Sequence, residues 1–494
     1  MSVRLGKPSL CRRALAPALG TLCLASSAVL GAQSTNLPSN PNPNPSSLSN
    51  PYFGSVTLTP LTDGVIKLSL DESVQRGLKA NLGLKENEQN EKVLHGELNE
   101  ALQYFLPTID LSGSTGYNEY NLAAFGFGPG VLSQISQLFP GQNIDIKLIT
   151  KVDVTRAQLN YEQTIFSGPV LDGYKAVRAA QTASYYAKMT ARGEVVQQVA
   201  TAYLAVIADR SDVANAKSLL DSDKVLLDQA HAKHEAGTVA NLDDLRARVQ
   251  YQQQEQTVTA SEARLVKAEI LLKREIGIAP GQKIELTDPT PYNELAARTI
   301  EDLRTVAYAN RKDYHNLQAQ LRETQMVLGA RRAERFPSLS FKGNYGVTEV
   351  SGVGSHGTLN AVGTLSFPIF EEGTLRGDKD VAKAQLQGTQ LQLDDLRAHI
   401  DTQIRTALLD VHAAAELVQV ARSNEDLARQ ALSDESDRFK AGVDDTLPLT
   451  QAQSTLASAQ SSLVQSLYQF NVAKLALARS LGILEEQYRD YLGK

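Results

Sequence analysis

Residues 336–370 read FPSLSFKGNYGVTEVSGVGSHGTLNAVGTLSFPIF. Leu339, Phe341, Gly343, Tyr345 and Val347 fall on every second position, and so do Leu359, Ala361, Gly363, Leu365 and Phe367. A period of two puts each set on one face of a strand. The stretch therefore predicts two strands joined by a Gly-rich loop at about 348–358. A helix from about Ile300 to Phe336 precedes them and stops at Pro337. Between Pro368 and Pro448 there is no proline, and the texture changes. Leu393, Leu396, Ile400, Ile404, Ala407, Val411, Ala414, Val418 and Ala421 step by three or four, the stripe of a coiled-coil-like helix. Gly442 interrupts it, and a last helix runs to Leu481.

The same order occurs earlier in the chain. A helix begins at Leu70 behind a Ser69 cap, with Asp71 and Glu72 at the positive end of its dipole. It runs to about Leu106, before Pro107. Ile109, Leu111, Gly113, Thr115 and Tyr117 alternate, and a loop spans about 122–143. A second alternating run passes Ile144, Ile146, Leu148, Val152 and Val154 and ends at Ile165 and Phe166. Between Pro169 and Pro280 no proline occurs, and strong helix formers dominate. Two antiparallel helices are expected there, from about Asp172 to His234 and from Leu242 to Ile276, with a tight turn at Gly237. The first would be roughly 90 Å long at 1.5 Å per residue, too long for an ordinary globular domain.

Landmarks repeat at fixed distances. Ala236-Gly237 returns as Ala441-Gly442 and Ile276-Gly277-Ile278 as Leu481-Gly482-Ile483, both 205 residues on. Pro107 and Gly113 return as Pro337 and Gly343 after 230. The chain is thus an internal duplication, 65–285 and 286–485, with a tail at 486–494. Each half reads helix, strand, loop, strand, long helix, turn, long helix.

The 494 residues carry 49 basic and 55 acidic side chains, a net charge of −6. That balance argues against a nucleic-acid binder, which needs a basic patch. The start reads as a signal peptide, 1–32: Arg4, Lys7, Arg12 and Arg13, then an apolar run from Ala14 to Leu30. Its removal takes away four basic residues, leaving a net charge of −10, and both cysteines, Cys11 and Cys23. Disulfides, thiol catalysis and cysteine-ligated metals go with them. A Pro/Asn-rich linker, 33–64, follows and is expected to be extended and mobile to about Pro60.

Strands of about ten alternating residues suit a bilayer-spanning sheet. Four of them cannot close a barrel, and lipid does not tolerate open sheet edges. Several chains must then share one barrel, and long amphipathic helices likewise need neighbours along their length. The expected fold class is mixed: all-α plus a membrane β-barrel. A non-transporting periplasmic coiled-coil spacer or adhesin stalk would explain the helices but not the strands. A periplasmic adaptor has one helical hairpin, not two. Gly352 to Gly357 matches G-x-G-x-x-G but lies between two strands, and His231 and His234 have metal-ligand spacing but no evident third ligand. No enzyme signature occurs.

At this point the chain resembles the outer-membrane efflux proteins, the TolC-like channel-tunnels, over about residues 65 to 485. The resemblance rests on Leu68-Ser69-Leu70-Asp71-Glu72-Ser73-Val74 with Ala80-Asn81, and on the junctions Leu106-Pro107-Thr108-Ile109 and Phe336-Pro337-Ser338-Leu339. It rests also on Leu365 to Gly373, on Ala236-Gly237 through Leu245, and on Arg438 to Asp444. It implies a homotrimer with a twelve-stranded barrel in outer-membrane lipid and a twelve-helix periplasmic tunnel. It further implies a periplasmic adaptor and an inner-membrane pump as partners, export of small molecules or proteins, no cofactor and no catalysis.

The site residues follow from that likeness. Ala236, Gly237, Ala441 and Gly442 form hairpin tips that would dock the adaptor, though glycine also relieves strain at any tight turn. Asp243, Asp244, Asp444 and Asp445 would ring the periplasmic aperture in a trimer, or simply cap helices. Relatives with acidic gates carry carboxylates six and nine residues after the second glycine. Here those positions hold Pro448 and Gln451, and the matching ones in the first hairpin hold Asp243 and Arg246.

Overall fold

The computed structural model describes residues 58–126, 148–237, 240–289, 291–296, 298–441 and 446–492, with a few positions between 52 and 56 and between 128 and 134. The signal peptide, most of the linker, Ile144, Ile146 and most of the first loop lie outside the described residues.

β1 (Ile66–Leu68) leads into α1 (Leu70–Ala80), where Ser69 Oγ accepts the Glu72 N–H at 3.2 Å as a cap. The sequence suggested one helix from Leu70 to about Leu106. Instead α1 stops at Asn81, which is extended (φ −63°, ψ 132°), and α2 (Leu82–Gln103) starts anew. The Asn81 side chain caps the new start by accepting from Leu84 N–H. The second half breaks likewise. α5 (Ile300–Asn310) and α6 (Lys312–Ala333) meet at Arg311 (φ −65°, ψ 116°), 230 residues after Asn81. Arg311 is held by Asp313, by Gln403 at 2.6 Å and by the Ser480 carbonyl at 3.1 Å.

The break at Asn81 also corrects the reading of the linker. Its last part is not mobile: Val56 N–H donates to the Ala80 carbonyl at 2.7 Å, Leu82 N–H to the Gly54 carbonyl and Thr59 N–H to the Gly277 carbonyl. An interrupted helix leaves backbone groups without helical partners, and this extended strap supplies them.

Two long hairpins dominate the molecule. α3 (Gly168–Glu235) has 68 residues and turns into α4 (Asn241–Glu275); α7 (Glu372–Lys440) has 69 and turns into α8 (Thr446–Ser480). Each first arm is about 100 Å long. The stripe from Leu393 to Ala421 is the buried face of α7, apart from half-buried Leu396. From Ile400 to Val418 it joins Val195, Val199 and Tyr203 of α3 and Phe470, Leu475 and Ala478 of α8 in one core. Both hairpins end on a left-handed glycine, Gly277 (φ 72°) and Gly482 (φ 73°). The next amide reaches back in each case, Ile278 to Lys273 and Ile483 to Ala478, which is the Schellman closure.

Two small elements complete this region. β1 pairs in parallel with β4 (Ile284–Leu286). The tail is not separate: α9 (Leu484–Leu492) buries Leu484, Tyr488, Tyr491 and Leu492. Among the described residues no helix is long and apolar enough to cross a membrane.

Candidate transport path: the open sheet and the hairpin tips

β2 (Thr108–Asn121), β3 (Ile149–Phe166), β5 (Ser338–Val350) and β6 (Gly354–Ser366) form one antiparallel sheet in the order β2-β3-β5-β6. The loop expected at 348–358 is shorter, since Gly354 to Gly357 belong to β6. Three residues make the turn, with Val353 N–H donating to the Val350 carbonyl. The registers stack like on like. Leu111, Leu159, Tyr345 and Leu359 form one row across all four strands; the row beside it is Asp110, Asn160, Asn344 and Asn360. Neighbouring rows point to opposite faces, so the sheet has an apolar side and a polar side. The apolar row is exposed in the single chain: Leu111 at 79% and Leu359 at 76%. Among the described residues β2 and β6 each have one neighbour, so both edges of the sheet are open there.

At the other end of the helices, the first tip turns at Ala236 and Gly237. Gly237 takes φ 73°, and its N–H donates to the His234 carbonyl at 2.8 Å. A β-carbon there would meet open space, so backbone conformation alone selects glycine. Ala441 closes α7. Gly442, Asp444 and Asp445 lie outside the described residues.

The acids of the first tip are not caps. Ala240 occupies the cap position of α4, and Asp243 and Asp244 sit within its first turn, where the helix dipole favours negative charge. Asp243 lies 3.5 Å from Arg246 Nη1, its side chain 15% exposed. Asp244 is buried against α3, with Oδ1 3.3 Å from His231 Nδ1 and Oδ2 3.6 Å from Arg248. His231 thus has acid neighbours rather than metal-binding company. Among the described residues no three His, Cys, Asp or Glu come together to hold a metal.

Three features escaped the sequence reading. Phe439 of α7 is buried against Leu226, Ala230, Ala247 and Leu449, with Lys233 Nζ 3.9 Å from its ring centre, and this joins the two hairpins at their tips. Asp223 is buried in the α3–α4 seam; burial pushes its carboxyl up to about 6, while a hydrogen bond from Gln250 pulls it back. Near the far end of the hairpins, burial brings Lys474 down to about 8 and pushes Glu275 up to about 8. Lys474 donates to the Asn293 carbonyl at 3.0 Å, fastening the segment between the repeats to α8. Nothing in the local pattern marks these charged side chains as buried.

Comparison with known proteins completes the picture. The family model described as outer membrane efflux protein matches residues 74–277 and 303–483. The pyoverdine export outer membrane protein OpmQ of Pseudomonas aeruginosa is 25% identical over 319 residues, covering 63% of this chain and 65% of OpmQ. Outer membrane protein TolC of Escherichia coli is 22% identical over 452 residues, covering 85% of this chain and 83% of TolC. The crystal structure of the Campylobacter jejuni CmeC outer membrane channel has the same fold, with a TM-score of 0.70 at 17% identity over 94% of this chain and 96% of CmeC. Such efflux channels are transporters, not enzymes. Matched in both repeats, the chain belongs to the outer membrane efflux protein family and, with its relatives, to the outer membrane, its long helices on the periplasmic side.

Proposed function

We propose that three copies of this chain close a twelve-stranded barrel and form a channel that exports small molecules or proteins from the periplasm. The observation that carries this reading is the four-stranded sheet with an apolar face and two open edges. Unpaired edges are not stable in hydrocarbon, so β6 of one copy must pair with β2 of the next until the ring closes. Helices of about 100 Å beneath the sheet then form a common tunnel wall across the periplasm. An adaptor docks at the tips, around Ala236, Gly237, Ala441 and Gly442, and hands over substrate from an inner-membrane pump. Asp243, with Asp444 and Asp445, lines the aperture there; Asp244 is turned inward and supports the wall.

Edge-to-edge cross-linking tests this. The sequence has cysteines only at positions 11 and 23, so a pair introduced at the sheet edges reports cleanly. Single cysteines at Ser112 and Ser114 of β2 are combined with single cysteines at Asn360 and Thr364 of β6. Oxidation in outer membranes is expected to yield a covalent product of three chains for at least one pairing. Monomers throughout, or protein in the soluble fraction, would replace the channel reading with the periplasmic spacer.

A further inference from the structure

In the sheet the two repeats agree residue by residue. Moving β2 on by 230 residues gives β5, and moving β3 on by 204 gives β6. These two steps carry the β2–β3 register onto the β5–β6 register without a slip. Thr108↔Glu162 becomes Ser338↔Ser366, and Gly113↔Ala157 becomes Gly343↔Ala361. The seam between the repeats, β3 against β5, has no second copy among the described residues. Its register is fixed as well, with Asn160 opposite Asn344 and Gln158 opposite Gly346. Taken forward from β3 and backward from β5, the same steps land on β6 and β2, the two open edges.

We propose that the seam between copies repeats the seam between the repeats, so that Thr364 of β6 lies directly opposite Ser114 of β2 in the next copy. This register rests on the channel reading. A head-to-tail contact closes a ring when each step repeats one rotation, and three copies supply six like steps. The side chains fit. On the polar side the row of Asn160, Asn344 and Asn360 runs on into Asn118 of the next copy. On the apolar side small meets large: Leu365 comes opposite Gly113, and Tyr117 opposite Ala361. Leu365 and Tyr117 are both exposed in the single chain. A slip of one residue would set the apolar face of one copy beside the polar face of the next. A slip of two keeps the faces but has no counterpart inside the chain. At the top Leu359 comes opposite Glu119, whose carboxylate is engaged by Lys151 at 3.4 Å.

A glycine marks the same edge independently. A β-carbon on Gly346 would run into the Ala157 carbonyl across the internal seam. Its counterpart on β2 is Gly116, where a β-carbon meets open space in the single chain. Glycine there answers no need within the chain, and it fits a strand pressed against β2 from its open side. Ala361 and Val362 of β6 would face it, as Ala157 and Gln158 face Gly346. Gly363 differs, because its counterpart Leu159 carries a side chain in the internal seam.

Cysteine pairs in the full-length protein, oxidised in outer membranes, test the register. Asn160→Cys with Asn344→Cys is the internal reference and should close within one chain. Directly opposed residues of an antiparallel pair have α-carbons about 4.5–5.5 Å apart, within disulfide reach, whereas diagonal neighbours lie about 7–8 Å apart. Ser114→Cys with Thr364→Cys should therefore give a covalent product of three chains roughly tenfold faster than two slid pairs. The slid pairs are Ser112→Cys with Thr364→Cys, and Ser114→Cys with Ser366→Cys. Gly116→Leu should lower the yield of trimers about fivefold or more, and Gly363→Leu should leave it unchanged. Trimers that cross-link through none of these pairs, or best through a slid pair, would overturn the register and leave the channel reading standing. So would trimers that assemble equally well with Gly116→Leu. Monomers throughout, the unsubstituted protein included and with the reference pair closed, would overturn both.

Discussion

The two hairpins share length, path and closing glycine, yet they are built differently inside. The second buries an almost unbroken apolar stripe from Leu393 to Ala421. The first buries the matching stripe through Val213 and Ala216 and continues with Leu219, Leu226 and Ala230, and it admits Asp223, Asp244 and Gln254 to its seam where the second admits Glu425 and Gln453. Gln254 is satisfied by the Ala216 carbonyl at 2.8 Å, but Asp223 Oδ1 has no partner among the described residues. Burial favours the neutral form of the Asp223 carboxyl, so the seam of the first hairpin answers to pH.

The largest effect should come from the point where this shared geometry is tightest. A β-carbon at Gly482 would sit 2.7 Å from the Arg311 backbone, besides the strain of φ 73°. Gly482→Ala should cost about 4 kcal/mol in thermal or denaturant unfolding followed by helix signal. Gly237→Ala, at the same φ but in open space, should cost about 1 kcal/mol. Equal losses would show that the junction with Arg311 does not matter. Next come the core positions on which the hairpins agree. Ile404→Ala and its counterpart Val199→Ala should each lose about 2–4 kcal/mol, whatever the pH. A loss at only one would break the equivalence of the two stripes. The smallest effect is the most specific. Ala428→Asp copies the Asp223 position into the second hairpin and should cost about 2 kcal/mol at pH 7.5 and less at pH 5, since a protonated carboxyl is cheaper to bury. If the loss were the same at both pH values, the seam would not be the origin of the pH response.

Much of this architecture was legible in the sequence because it is long and periodic. Ten alternating residues, or a stripe of nine apolar side chains, outweigh local accidents, and the repeat at 205 and 230 residues ties the halves together. The breaks at Asn81 and Arg311 were not legible. A single extended residue that is neither proline nor glycine leaves the helical pattern intact on either side. β1 and β4 have three residues each, too few for a period, and pair only because the chain returns. Leu484, Tyr488, Tyr491 and Leu492 do follow helical spacing, but nine residues after a helix-ending glycine read equally well as a tail. At the tips, Gly237 was legible as a turn. The inward turn of Asp244 was not, because a carboxylate is ordinarily exposed and only the facing helix shows otherwise.

The pairing of Ile66–Leu68 with Ile284–Leu286 has a consequence for how such a chain arose. The backbone leaves the first repeat beside the place where it entered. A segment whose two ends meet can be copied in tandem without stretching either copy, because the second begins where the first began. The three-rung clip thus marks the repeat as a cassette.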